Sequence, residues 1–111
     1  MPLEQIMAYY GTPEQCGVQL PFNFELIGAP WNAAYLAELI ARDDGLLPPE
    51  CWPNWVLGNH DRSRVASRFG LENARVAAML LLTLRGTPTL YYGDELGLSD
   101  VAIPAHKIAD P

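Results

Sequence analysis

Short apolar segments alternate with longer helical patterns along the chain, and glycine and proline residues mark the boundaries. Trp55-Val56-Leu57 lies between Pro53 and Gly58, and a short apolar run bounded in this way is typical of a fully buried strand. Aromatic residues at alternate positions predict another strand over residues 20–26, with Pro21 near its start. A third buried strand is predicted over residues 89–92, just before Gly93.

Two helical patterns lie between these predicted strands. One begins at Trp31 and has apolar residues on one face through Ile40. Asp43-Asp44-Gly45 and Pro48-Pro49 are predicted to end it and to form a loop. The other covers residues 72–85 and is apolar nearly all round, which predicts that most of its surface is buried. The order strand, helix, strand, helix, strand predicts an α/β fold of parallel βαβ units. The first 18 residues are predicted to be a helix end and a loop, and residues 99–111 a loop-like tail.

Composition limits the kind of protein this is. The chain has 111 residues, 50% of them hydrophobic and 18% charged, as expected of one globular domain. A formal net charge of −6 argues against nucleic acid as a partner. The sequence contains neither an apolar run long enough to cross a membrane nor a signal-like N-terminus, so a cytoplasmic location is expected. Cys16 and Cys51 are expected to be ordinary thiols rather than a disulfide or part of a zinc site.

Polar clusters follow two of the predicted strands, Asn59-His60-Asp61 after the second and Gly93-Asp94-Glu95 after the third. In parallel α/β folds the chemistry lies at these carboxyl ends, but no glycine-rich phosphate loop follows any strand. The first cluster has two interpretations. It could be a helix-capping loop with Arg62 and Arg64 solvated or paired, or a carboxylate and an imidazole that bind the vicinal hydroxyls of a sugar.

A family resemblance favours the second interpretation. Residues 55–70 (WVLGNHDRSRVASRFG) resemble the fourth conserved region of the α-amylase superfamily, glycoside hydrolase family 13, in its α-glucosidase, maltase and oligo-1,6-glucosidase branch. Residues 82–97 (LTLRGTPTLYYGDELG) resemble the last barrel strand of that branch with its preceding helix. Residues 20–24 resemble the sixth strand, and residues 108–111 the loop after the eighth. These segments stand in the family's order and span nearly the whole chain.

The resemblance implies a (β/α)₈ TIM barrel that hydrolyses or transfers α-linked glucosides with retention of configuration. Residues 1–111 then correspond to about strands six to eight, an incomplete C-terminal portion of the barrel. Asp61 matches the third carboxylate, which stabilises the transition state, and His60 its hydrogen-bonding neighbour. Arg64 matches a residue that recognises the terminal glucose, and Asn59 and Tyr92 are further candidates for substrate binding.

The family's nucleophile and general-acid motifs do not occur in these 111 residues. Four other acidic residues stand at plausible strand ends but do not match those motifs, and they are expected to be loop or supporting groups: Glu25, Asp94, Glu95 and Asp110. The chain alone is therefore expected to be inactive, and to self-associate or to dock with a missing N-terminal portion of the barrel. No cofactor or metal is predicted, although Ca²⁺ occurs in the wider family.

Tyr92 is predicted to be available for stacking on a sugar, and the other candidate aromatic residues are predicted to be core: Trp31, Trp52, Trp55 and Tyr91.

The main alternative to an enzyme is a non-catalytic interaction module, because amino-acid transporter heavy chains resemble this family and act as subunits. An independent, flavodoxin-like βαβ domain is a third possibility, but it lacks a ligand loop.

Overall fold

Two short parallel strands form the centre of the fold. In the computed structural model, which describes residues 3–12 and 14–108, β3 (Asn54–Val56) pairs with β4 (Thr87–Thr89). The crossover between them contains α4 (Val65–Phe69) and α5 (Leu71–Thr83). This parallel pair confirms the predicted βαβ unit. The elements that precede it in the chain are α1 (Leu3–Met7), β1 (Gly11–Thr12), β2 (Gln15–Cys16), α2 (Glu25–Gly28) and α3 (Ala33–Leu46).

The predicted strand over residues 20–26 is wrong in extent. Asn23 makes a single parallel bridge with Trp55, and the chain then turns into α2. The cause is the Asn23 side chain, whose Oδ1 accepts a hydrogen bond of 3.0 Å from the backbone N–H of Glu25. Such a local bond from an asparagine side chain competes with extension of a strand.

Helix α3 begins at Ala33, two residues after the predicted start at Trp31, and it ends at Leu46. Asn32 caps it, because its Oδ1 accepts a bond of 3.0 Å from the backbone N–H of Tyr35. The helix continues through Asp43-Asp44-Gly45, so the predicted loop is wrong for these three residues, but the helix does end before Pro48-Pro49. Asp43 is only 1% exposed and accepts a hydrogen bond of 2.9 Å from Nδ2 of Asn23. This tertiary bond satisfies one carboxylate oxygen, Oδ1, of a residue that the sequence placed at the helix end.

Strand β4 lies two residues earlier than predicted and is not fully buried. Its residues are half-buried or exposed, with Pro88 exposed. In the described part of the chain β4 pairs with β3 alone, and a proline without a backbone N–H is typical of such an edge.

Helix α5 buries one face, formed by Ala74, Ala77 and Leu81, whereas Val76, Met79 and Leu82 are exposed. The predicted near-complete burial of this helix is therefore wrong.

The N-terminal segment contains a hairpin that was not predicted. After α1 and a single 3₁₀ turn (Ala8–Tyr10), β1 and β2 pair antiparallel, with Gly11 opposite Cys16. The backbone N–H of Gln15 donates to Oγ1 of Thr12 across the turn.

The C-terminal tail from residue 99 is loop-like apart from a 3₁₀ turn at Ala105–Lys107, and Asp110 lies outside the described residues.

The hydrophobic core lies between β3 and helices α3 and α5. Trp55 is 1% exposed at its centre and donates from Nε1 to the backbone oxygen of Arg85 at 2.9 Å. Trp31 packs against this core by stacking on Phe69, which confirms both tryptophans as core residues. Trp52 is wrong as a predicted core residue, because it is 48% exposed, with the Arg85 guanidinium lying over its ring. None of the described helices has the length and apolarity needed to span a membrane.

Candidate functional site

The residues that follow β3 form the loop that carries the candidate site, and residues 58–64 are called the site loop below. Asn59 is half-buried, and its Oδ1 accepts a hydrogen bond of 3.1 Å from the backbone N–H of Asp61. This Asx turn presents the next two side chains to solvent. His60 and Asp61 are 79% and 73% exposed, with Nε2 of His60 lying 3.4 Å from Oδ1 of Asp61. The loop therefore offers an exposed carboxylate beside an imidazole.

Asn59 and Asp61 border an open groove of about 520 Å³. Phe22 and Phe24 also line it, and their rings stack with centroids 5.6 Å apart. Glu25 also lines the groove, but its carboxylate is engaged by Arg42 at 2.6 Å. The groove thus combines apolar ring faces with carboxylate and amide oxygens, a composition suited to a polyhydroxylated ligand with an apolar face.

Arg64 and Tyr92 form a second part of the candidate site. Nη1 of Arg64 donates to the backbone oxygen of Tyr92 at 2.7 Å, and the guanidinium lies 4.8 Å from the Tyr92 ring centroid and 5.0 Å from that of Tyr91. The two rings meet edge to face. Tyr92 is 69% exposed, and Tyr91 is half-buried. Arg64 is therefore held by aromatic and backbone contacts beside an accessible ring, while Asn59 and Asp61 face the groove.

The two acidic residues that follow β4, Asp94 and Glu95, do not line the groove. Asp94 lies so close beneath the loop that a Cβ atom on Gly58 would come within 2.8 Å of its Oδ2. Burial raises the pKa of Asp94, and the Arg64 charge opposes that shift. Glu95 is exposed and accepts a hydrogen bond of 2.8 Å from the backbone N–H of Gly93. Glu95 thus has a local structural partner, whereas Oδ1 of Asp94 is buried without a hydrogen-bond partner among the described residues.

Two residues close to the site were not singled out from the sequence. Arg68 donates to three backbone carbonyls around the site loop, and Asp100 accepts a hydrogen bond from the backbone N–H of Arg64. Arg68 lies within the motif of residues 55–70, but its type and spacing resemble those of any solvated helix arginine. Asp100 lies in a segment without periodicity. Only folding reveals their contacts, because their partners are distant in sequence or are main-chain atoms.

The described part of the chain offers no cluster of metal ligands. Within residues 3–12 and 14–108, no three His, Cys, Asp or Glu side chains lie close enough together to hold a metal ion. The chemistry that these residues offer directly is hydrogen bonding to hydroxyl groups, through carboxylate, amide, imidazole and guanidinium groups.

Comparisons with known proteins agree with the sequence motifs. The family model described as "Alpha amylase, catalytic domain" matches residues 1–111. Maltase A1 of Drosophila melanogaster is 40% identical over 111 residues, which cover 97% of this chain and 19% of the fly protein. The mouse amino acid transporter heavy chain SLC3A1 is 38% identical over 103 residues, covering 91% of this chain and 15% of that protein.

The fold comparison points to the same group of proteins. The crystal structure of the alpha-glucosyl transfer enzyme XgtA superimposes with a TM-score of 0.85 and 32% identity. The superposition covers 97% of this chain and 20% of XgtA, and the chain spans about a fifth or less of the curated relatives named above. By the full-length family match, the residue motifs and the shared fold, the chain belongs to the α-amylase superfamily, glycoside hydrolase family 13.

Proposed function

We propose that the chain forms one wall of the active site of a retaining α-glucosidase that acts on α-linked glucosides. The observation that carries this proposal is the position of Asp61, an exposed carboxylate beside His60 at the carboxyl end of the parallel strand β3. In parallel α/β barrels this end of the strands carries the catalytic groups. The similarity to Maltase A1 and to XgtA supports an α-glucosyl substrate.

In this role Asp61 holds two hydroxyl groups of the bound glucose and strengthens its hold as positive charge develops on the sugar ring. A carboxylate accepts two hydrogen bonds, and such bonds are stronger when the group is charged. The His60 imidazole, 3.4 Å from Asp61, donates to a neighbouring hydroxyl. An interaction that tightens in the transition state raises kcat rather than only improving binding.

Asn59, Arg64 and Tyr92 serve to orient the sugar. The Arg64 guanidinium gives one N–H to the Tyr92 backbone oxygen and retains further donors for a substrate hydroxyl. The exposed Tyr92 ring offers a face on which a sugar can stack. Asn59 uses its Oδ1 within the loop, so its amide N–H groups are the part of the side chain that can bind substrate.

The reaction also needs a nucleophile and a general acid, and we propose that a further portion of the barrel supplies them. The chain then forms strands six to eight of the barrel and docks with that portion. Phe22 and Phe24 support this arrangement, since both rings are about half exposed on the groove side. Size-exclusion chromatography with light scattering tests the docking surface: the chain alone is expected to self-associate, and a stable monomer would count against it.

Activity is tested in a chimera in which this chain replaces the matching fifth of fly Maltase A1. The chimera is expected to hydrolyse an aryl α-glucoside, and Asp61→Asn is expected to lower kcat by about 100-fold or more. Glu72→Gln, which changes an exposed carboxylate on α5, is the matched control and should leave kcat unchanged. An inactive chimera, or full turnover with Asp61→Asn, would overturn the proposal. The chain alone should show no hydrolysis.

The similarity to the transporter heavy chain favours a second candidate, a non-catalytic subunit. In that case Asp61 and His60 are surface groups without a sugar to bind. The chimera separates the two candidates, because a subunit segment need not restore hydrolysis although it shares the fold.

A further inference from the structure

Arg68 contacts both ends of the segment that carries Asn59, His60 and Asp61. Its Nε donates to the backbone oxygen of Ser63 at 3.0 Å, and its Nη2 donates to the backbone oxygen of Leu57. Leu57 directly precedes the site loop, and Ser63 lies near the loop's end. One guanidinium group therefore joins the residues that flank the three candidate site residues.

The third guanidinium nitrogen ties this loop to another part of the chain. Nη1 of Arg68 donates to the backbone oxygen of Ile27, at the end of α2. Helix α2 follows the Phe22–Phe24 segment, and Ile27 lines the groove together with Asn59 and Asp61. The same side chain thus joins the site loop to a second segment that lines the groove.

Only an arginine can make these three bonds with one side chain. The guanidinium is planar with its donors in a fixed fork, whereas the lysine ammonium is a compact charge that cannot reproduce that geometry. The plane is packed as well, because Cζ of Arg68 lies 4.7 Å from the Phe69 ring centroid and Phe69 stacks on Trp31. Burial lowers the pKa of the half-buried Arg68 guanidinium, and the charges of Asp94 and Asp100 oppose that shift.

We propose that Arg68 is a positioning residue for the glycosidase reaction: it fixes the two ends of the site loop and so places the Asp61 carboxylate against the sugar. This inference rests on the proposed function. Since Arg68 reaches main-chain oxygens and not the groove, it acts through Asp61 and not on the substrate. A loop displaced by about 1 Å can lower a rate about 100-fold.

The test uses the Maltase A1 chimera with Arg68→Lys, which keeps the charge and removes the fork. We expect kcat to fall by about 100-fold while KM changes by less than about threefold, because ground-state contacts to the sugar remain. Arg75→Lys, at an exposed arginine on α5, is the matched control and should match the unsubstituted chimera. Circular dichroism at the assay temperature verifies that each variant is folded.

The double variant with Asp61→Asn identifies the route of action. If Arg68 acts through Asp61, adding Arg68→Lys to Asp61→Asn should lower the remaining kcat by no more than about twofold. Two outcomes would overturn this inference while leaving the proposed function intact. One is a double variant whose kcat falls by the product of the two single losses, and the other is an Arg68→Lys variant with normal kcat. Normal turnover with Asp61→Asn alone would overturn the proposed function instead.

A second variant covers the case in which Arg68→Lys does not fold. Phe69→Leu keeps the guanidinium but removes the ring that packs against its plane. Phe69→Leu alone should lower kcat by about tenfold. Combined with Asp61→Asn, it should cause no further loss of kcat. A normal kcat for this variant, or a multiplied loss, counts against Arg68 as a positioning residue.

Discussion

The backbone N–H of Arg64 donates a hydrogen bond of 3.0 Å to Oδ1 of Asp100, which lies 36 residues later in the chain. The backbone N–H of Asp100 in turn donates to Oγ of Ser67 at 2.7 Å. Arg64 precedes α4 and its own side chain does not cap that helix, so Asp100 supplies the acceptor from another segment. The loop after β4 is thereby fastened to the end of the site loop.

Removal of this contact should loosen the end of the site loop. The hydrogen bond from the Arg64 backbone, with those from Ser63 and Ser67, lowers the pKa of Asp100. A lowered folded-state pKa means that the contribution of Asp100 is present above its ordinary pKa of about 3.9 and is lost as pH falls through the lower value. Asp100→Ala should speed hydrogen exchange at the Arg64 amide at pH 7, relative to Asp44→Ala as a control. Unchanged protection at Arg64 would show that this contact is unimportant.

Asp43 should make stability depend on pH in the opposite sense. Burial raises its pKa to about 6, with the charges of Asp44 and Glu25 adding to the shift, and Arg42 and the Asn23 amide opposing it. One carboxylate oxygen, Oδ2, is buried without a hydrogen-bond partner. Because the folded-state pKa is raised, the stabilising contribution is full below about pH 4 and is lost as pH rises through about 6.

The resulting slope can be measured by urea unfolding between pH 4 and pH 7.5. The free energy of unfolding should fall over this range by on the order of 1–3 kcal/mol through Asp43. Asp43→Asn should remove that part of the slope, whereas Glu72→Gln, at an exposed carboxylate on α5 whose charge does not act on Asp43, should leave it nearly unchanged. The prediction is wrong if Asp43→Asn keeps the full slope.

Trp55 and Trp52 provide a matched pair for the core. Trp55→Phe removes a buried ring and the bond from Nε1 to the Arg85 oxygen, and should cost about 2 kcal/mol of unfolding free energy. Trp52→Phe, at a half-exposed ring, should cost less than about 0.5 kcal/mol. Chemical denaturation of both variants measures the difference, and equal losses would contradict the assignment of Trp55 to the core.

Gly86 and Gly45 form a second pair. Gly86 has a φ of +138°, and a Cβ there would lie 2.8 Å from the backbone oxygen of Pro53, so Gly86→Ala should destabilise the fold by about 1–3 kcal/mol. A Cβ on Gly45 in α3 meets nothing within 4 Å, and Gly45→Ala should stabilise by about 0.5–1 kcal/mol. Thermal melting of the two variants should therefore shift in opposite directions, and shifts of the same sign would contradict this pair.

Helices α3 and α5 and the strand at Trp55 were predictable because their signals are local. A regular apolar spacing and a short apolar run between Pro53 and Gly58 each identify a structure within a few residues. The length of the segment around Asn23 and the position of β4 were not predictable in this way. The segment length depends on the hydrogen bond that the Asn23 side chain accepts from the backbone N–H of Glu25. The position of β4 depends on which residues pair with β3, and these are Thr87–Thr89.

For the candidate site, the sequence alone determined its family and the residue types in the loop after β3. A motif such as GNHDRSR is recognisable without coordinates, because the types and spacing of its side chains are themselves the signal. Tertiary structure alone decided that Arg68 joins the two ends of that loop, that Asp100 fastens its end, and that Asp43 is buried against Asn23. The physical reason is that each of these contacts satisfies a polar group across a long stretch of chain or at a main-chain oxygen, and no local pattern encodes such a partner.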